Sequence, residues 1–443
     1  MVIFHTKKYE KLFVIRTKGL LLDMEYNYGN LIKIERMRRN MKQSVLARGV
    51  CSISYLSKIE NNQTSPSEEV LEMLFKRLDI DVPLYYDFSE QVEKVKREIH
   101  TLLKEAILSR NDLDRQKKVE KYLFSPVVNQ SKELYVTLLL VLARFEMMPG
   151  REGRYLTEIG WIEDQLDRDD LLRYDLIKCL KLFGENEKEE GFELLERLNE
   201  HLGTSGIPEW EVADMSYIMG GLYYRCADYS KAIENVKIGL NYFQDHFYLE
   251  RIVECHLIIG LSHKRRKRFS EALAYYQKAV KVISATDLKN YNGMLYNNMG
   301  EVYSSLGNQE KALEYFMRSF EYKVEVKSKL FSVLSLIEGY TNYNNKDEIL
   351  KWLEKGYELK GDKEGLEEFD HHFEIYTNCY KEQDKLKLIE TLKKAVQYFE
   401  LYDDYVYIEK YALWLARELR ENGKYKLATE YYEKVISIRL QLD

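Results

Sequence analysis

Between Leu31 and Leu78 the apolar positions fall into short runs at helical spacing, separated by small polar turns. Leu31, Ile34 and Met37 form one stripe, Leu46 and Ala47 a second, Leu56 and Ile59 a third, and Val70, Leu71, Leu74 and Leu78 a fourth. Residues three and four apart share a helix face, so each run predicts a helix with one buried side. Gly49, Val50 and Cys51 supply the turn between the second and third helices, glycine giving the backbone freedom. The third helix is expected from Ser52 to about Glu60. With Leu56 and Ile59 inward, Ser52, Ile53, Ser54, Tyr55 and Lys58 are left facing out, as on a recognition helix entering a DNA groove. On the first helix Lys33, Arg36, Arg38, Arg39 and the following Lys42 load the exposed side with charge. Ser65-Pro66-Ser67-Glu68 reads as a capping box with Pro in the first helical position of the fourth helix.

Beyond Asp214 the pattern acquires a long period. Gly220, Gly260 and Gly300 are spaced by 40, and each is followed twelve residues later by Ala232, Ala272 and Ala312. Small residues at fixed intervals mark places where two helices must approach closely, and Tyr276, Phe316 and Ala279 fit the packing positions of the second helix. Tyr411 to Leu440 repeats the pattern, with Ala416, Tyr425, Ala428 and Tyr432 in matching places. Between Ile337 and Ala395 the signal weakens to Ile349, Leu353 and Gly356, then Leu388, Leu392 and Ala395; before Asp214 it is fainter still, with Gly191, Leu195 and Leu198 as one second helix. About 350 residues at this period give roughly eight or nine units.

Composition sharpens this picture. The 443 residues include only five prolines, which with abundant Leu, Lys, Glu and Tyr points to an all-helical body. Residues 30–60 hold seven Lys or Arg against two Glu, a local +5 on a chain of net charge -6, so a basic module sits on an acidic body. Five cysteines without a CxxC pair suit reduced thiols in a cytoplasmic protein. The longest notable apolar run, Leu134 to Ala143, is about half of what a bilayer needs, so no membrane partner is expected. The expected organisation is an N-terminal extension over 1–24, a helix-turn-helix domain over 25–88, a connector over 89–125 and repeats over 126–443. The connector carries Val92, Val95, Ile99, Leu102, Leu103, Ala106 and Ile107 as a packed stripe.

Candidate chemistry is that of binding. Asn298 stands out, because a carboxamide offers both donor and acceptor to an extended peptide backbone, the alternative being a bond to a neighbouring helix. Tyr217, Tyr224, Arg225, Asn297 and Glu301 share the first-helix face around the periodic glycines, and Asn342 falls near the corresponding face of the next unit. Arg225 is placed either on a peptide carboxylate or on a solvated face. His371 and His372 are adjacent and point about 100° apart on a helix, so a metal is not expected. The basic run Lys264 to Arg268 sits at a helix-helix turn and reads as solvated surface. No phosphate loop or nucleophile-base set is visible, so catalytic residues, metals, cofactors and enzyme activity are not expected.

The segment with Gln43, Leu46-Ala47 and Ser57-Lys58-Ile59-Glu60-Asn61-Asn62 resembles the helix-turn-helix of the Cro/repressor-like (XRE) family, with Asn62 where Gly is usual. The later segments resemble tetratricopeptide repeats. Together they resemble the RRNPP group of Gram-positive quorum-sensing regulators, NprR-like members being nearest in size and repeat length. The fold this implies is all-α, an N-terminal helix-turn-helix domain followed by a tetratricopeptide-like α-solenoid, a right-handed superhelix. The resemblance implies a short re-imported signalling peptide in the repeat groove, a homo-oligomer (dimer or tetramer) and binding to a pseudo-palindromic double-stranded promoter site. It places Arg38 and Gln43 on phosphates and Ser52, Ser54, Tyr55 and Lys58 at the bases, with Lys42, Ile53 and Asn62 in the same contact set. Two alternatives stay open: a repeat domain that binds and inhibits a phosphorelay response-regulator protein, and a phage or mobile-element regulator of the same architecture.

Overall fold

A computed structural model describes residues 28–80, 89–109, 112–147 and 153–442, and the expected extension over residues 1–24 lies outside them. The fold is all-α, and the described residues contain no strand. The chain divides into two compact units, Met1–Met215 and Ser216–Asp443.

The first unit begins with helices α1 (Gly29–Arg38), α2 (Gln43–Ala47), α3 (Ile53–Glu60) and α4 (Glu68–Leu78). Ile32, Ile34, Leu46, Leu56, Leu71, Leu74 and Leu78 are 0% exposed and form its core, each such side chain contributing about 1.5–3 kcal/mol by burial. Gly49 takes φ +72° in the turn before α3, and Ser52 caps α3 by accepting the Tyr55 N–H at 3.1 Å. Gly29 is forced by crowding: a Cβ there would lie 2.2 Å from the Ile59 carbonyl oxygen.

Two local expectations are corrected. The α4 cap is Ser67, which accepts from the Val70 N–H, so Pro66 stands before the cap and not in the first helical position. Arg36 is not on the exposed side of α1. It is buried, donating from Nε and Nη2 to Glu60 at 2.6 and 2.8 Å and from Nη1 to the Met41 carbonyl at 2.8 Å. A carboxylate at the end of α3 outweighs the solvation that a guanidinium loses on turning inward.

Helix α5 (Ser89–Ser109) buries Ile99, Leu103, Ala106 and Ile107, with Val92, Val95 and Leu102 half-buried. The repeats then run as helix pairs. In the first unit they are Lys132–Glu146 with Arg154–Gly160 and Arg168–Gly184 with Lys188–His201. Glu209–Arg225 crosses the unit boundary and is followed by Tyr229–Asp245. The second unit continues with Leu249–Arg265 and Phe269–Ser284, Asn292–Ser305 and Gln309–Tyr322, Val326–Thr341 and Lys346–Lys360, Glu368–Tyr376 and Lys385–Leu401, and Tyr405–Glu421 and Tyr425–Leu442. The forty-residue glycine period has a packing cause. A Cβ on Gly220, Gly260 or Gly300 would stand 2.3, 2.4 and 2.5 Å from Val236, Tyr276 and Phe316 on the partner helix, and Ala232, Ala272 and Ala312 are all 0% exposed.

Candidate nucleic-acid and peptide contact sites

One face of helix α3 and its cap is open, with Ser52, Ile53, Ser54 and Lys58 exposed and Tyr55 half-exposed. Its N-terminus, capped by Ser52, has the positive end of the helix dipole that suits phosphate, and Lys42, the N-cap of α2, is also exposed. Ile53 is 51% exposed, an apolar contact of the kind that reads a thymine methyl. The Tyr55 hydroxyl donates to the Ser65 carbonyl at 3.4 Å, which fixes the ring on the near side of the α3–α4 turn.

Three residues assigned to DNA from sequence are engaged within the protein. Gln43 donates to Glu60 Oε2 at 2.8 Å and so completes the Arg36–Glu60 cluster. Asn62 occupies a left-handed position, φ +52°, a conformation asparagine tolerates better than most residues. Its carboxamide accepts from the Gly29 N–H at 3.1 Å and donates to Asn30 and Gln165 at 2.8 Å each. Arg38 donates to Glu158 through Nε at 2.7 Å and Nη2 at 2.5 Å, and through Nη1 to Glu35 at 2.5 Å. The Gln165 amide also reaches the Glu60 carbonyl at 3.2 Å, and Lys33 lies 3.6 Å from Asp164. Thus α1 and the end of α3 are clasped to the segment 158–165, a contact between residues about a hundred apart that no periodicity reveals.

In the second unit the first helices of successive pairs carry a polar chain. Lys264 donates to Asn298 Oδ1 at 2.8 Å and to Glu301 at 2.5 Å; Asn297 donates to Glu301 at 2.7 Å and accepts from Lys323 at 3.4 Å. Lys323 also donates to Ser332 Oγ at 2.8 Å. The second end of the Asn298 carboxamide donates to its own helix at the Met294 carbonyl, 3.0 Å, so in this state Asn298 bonds within the protein at both ends. Asn297, Asn298 and Glu301 are therefore brought together.

The other predicted positions lie elsewhere. Tyr224 accepts from Arg265 Nε at 3.4 Å and packs on Tyr229, whereas Tyr217 lies under the Arg251 guanidinium at 4.1 Å. Arg225 is exposed in the last turn of its helix. Asn342 follows the end of Val326–Thr341 as an exposed C-cap, outside the carboxamide cluster. Counting forty from Asn298 reaches Glu338 instead, which pairs with Lys410. That ammonium lies 5.9, 5.8 and 5.2 Å from the ring centres of Tyr376, Tyr407 and Tyr411. Lys264 shares the inward face of its first helix, as its place relative to Gly260 suggests, whereas Lys323 follows a second helix and carries no such signal.

His372 is fully buried, its Nδ1 2.6 Å from the Tyr411 hydroxyl, while His371 packs on Tyr398. Among the described residues no cluster of His, Cys, Asp or Glu has the makings of a metal site, and no helix is long and apolar enough to cross a membrane.

Comparison with known proteins gives two family matches: helix-turn-helix over residues 32–84 and tetratricopeptide repeat over 253–323 and again over 410–441. The chain is 27% identical over 406 residues to the transcriptional activator NprA of Geobacillus stearothermophilus, covering 88% of this chain and 97% of the relative. Its fold is similar to the apo form of the quorum sensor NprR from B. thuringiensis, with TM-score 0.69 and 17% identity over 80% of this chain and 100% of that one. It is also similar to NprR in complex with its cognate peptide NprX, with TM-score 0.54 and 16% identity over 81% of this chain and 100% of that one.

Proposed function

We propose that this chain, which carries a helix-turn-helix and tetratricopeptide repeats, is a peptide-responsive transcriptional regulator of the RRNPP type. The observation that carries the reading is the pairing, in one chain, of an exposed capped recognition helix with a carboxamide-bearing repeat face. Helix α3 enters the major groove, Ser52, Ser54, Tyr55 and Lys58 meeting base edges and Lys42 the backbone. A short extended peptide lies along the repeats, where Asn298 exchanges its bonds to Lys264 and Met294 for bonds to the peptide backbone. Peptide binding shifts the oligomeric state, and the spacing of two helix-turn-helix modules then sets promoter affinity.

The likeness to NprA over nearly its full length supports the transcriptional role. The test uses fluorescence anisotropy on labelled duplexes tiled across the DNA flanking the protein's own gene. Wild type is expected to select one duplex, and Lys58→Ala with Tyr55→Ala to lose it while the thermal unfolding profile stays unchanged. Equal binding to all duplexes by both proteins would overturn the assignment of α3.

A further inference from the structure

Lys323 is the first residue beyond Gln309–Tyr322, where the backbone leaves the helix at ψ 136° and its N–H still bonds the Ser319 carbonyl. From there the side chain crosses to the helix Asn292–Ser305. A Cβ on Gly293 would stand 2.7 Å from Lys323 Cγ, so glycine is what lets the stem lie flat on that helix. The base beneath it is buried and prearranged. Ser319 and Ser332 are both 0% exposed; Ser319 donates to the Gly293 carbonyl at 2.7 Å and touches Ser332 at 3.0 Å.

The ammonium at the end of this stem is in an unusual position. It is half-buried, and its two hydrogen-bond partners, Ser332 and Asn297, are both neutral. Among the described residues it forms no ion pair. The nearest carboxylate influence is Glu301, which is already bonded to Lys264 and Asn297. The strip that holds Asn297 and Asn298 thus has two ammonium groups and one carboxylate, which Lys264 takes. Burial accordingly lowers the Lys323 pKa to about 8. A partly desolvated cation with a donor to spare, beside carboxamides that suit a peptide backbone, lacks an anion.

We propose that Lys323, with Asn297 and Ser332, forms a carboxylate subsite that holds an acidic group of the bound peptide, either its C-terminus or an Asp or Glu side chain. The inference rests on the peptide-binding reading above. A carboxylate oxygen takes the free donor of the ammonium, and Asn297 Nδ2, released from Glu301, supplies the second hydrogen bond. Ser332 and the Gly293 contact keep the ammonium in place before the ligand arrives, so little ordering remains to be done on binding.

The test is affinity selection on the full-length protein with pooled synthetic random heptapeptides. Four pools carry a free or amidated C-terminus, each with or without Asp and Glu, and retained peptide is quantified by mass spectrometry after gel filtration. Wild type is expected to retain carboxylate-bearing pools at least about tenfold over the amidated, acid-free pool. The two intermediate pools tell a C-terminal carboxylate from a side-chain one. Lys323→Met is expected to reduce that preference to below about twofold while the acid-free pool is retained as by wild type. Asn297→Asp, which gives Lys323 an internal carboxylate of nearly the same shape, is expected to reduce the preference to the same extent and serves where Lys323→Met fails to fold. No preference in wild type, or a preference that survives in the folded variants, overturns the subsite. Retention of no pool at all instead overturns the peptide-binding reading.

Discussion

Removing Glu60 tests whether the helix-turn-helix is held together by the buried ion pair at its centre. Glu60 is 0% exposed and takes both hydrogen bonds of the Arg36 fork, plus one from Gln43. In Glu60→Ala the Arg36 guanidinium keeps the Met41 carbonyl and loses its counter-ion in a site where little water reaches it. Stripping one partner from a buried pair costs about 3–5 kcal/mol. Gln43, half-buried, recovers its lost bond from water at little further cost. At about 1.4 kcal/mol per tenfold, the helix-turn-helix should open locally about 10² to several times 10³ times more often. Hydrogen exchange read by mass spectrometry should show this acceleration for amides of α1 to α4, and none for the helices Leu249–Arg265 to Gln309–Tyr322. Arg36→Leu combined with Glu60→Met should restore protection, since a packed apolar pair replaces a buried ion pair at little or no loss. Protection of α1 and α3 within about threefold of wild type in Glu60→Ala would refute the reasoning, because it would leave less than about 1 kcal/mol for the pair.

Gly300→Ala places a Cβ 2.5 Å from the Phe316 ring and should destabilise the second unit by about 1–3 kcal/mol, with Phe316→Leu recovering much of it; equal urea midpoints for Gly300→Ala and wild type would dismiss the close approach as a cause of the period. His256 is 3% exposed, and burial, with Lys278 adding to it, lowers its pKa to about 4. The unfolded chain therefore takes up a proton near pH 6.5 and the folded chain only near 4, so stability is intact above 6.5 and falls by about 3 kcal/mol as pH drops through that window. His256→Gln should flatten this acid limb in urea titrations, and parallel limbs for the two proteins would remove His256 as its source.

Much of this architecture could be read from the chain because it is periodic. The outward set on α3 follows from Leu56 and Ile59 alone, and Gly260 with Tyr276 or Gly300 with Phe316 is a contact sixteen residues apart that repeats in register. What stayed hidden depends on partners far away in sequence. Arg36 looks solvated until Glu60 is placed beside it, and Arg38 meets a carboxylate 120 residues on. Asn342 lies out of register with Asn298 because Tyr340 stands forty residues after Gly300, so the glycine marker is lost there; the in-register residue is Glu338. Lys323 escaped notice because it follows a helix, where a lysine reads as a solvated end, and only the crowding at Gly293 and the buried serines beneath it show otherwise.

The clasp between Arg38 and Glu158 bears on the proposed contact of the first unit with DNA. Three of the five guanidinium N–H groups are taken, two by Glu158 and one by Glu35, so a phosphate would meet either the remaining donors or a clasp that has opened. In the proposed complex with DNA, a phosphate that draws Arg38 away from Glu158 is linked in free energy to the attachment of α1 to the segment 158–165. By thermodynamic reciprocity, whatever strengthens the attachment weakens that phosphate contact by the same factor, and the duplex in turn loosens the attachment.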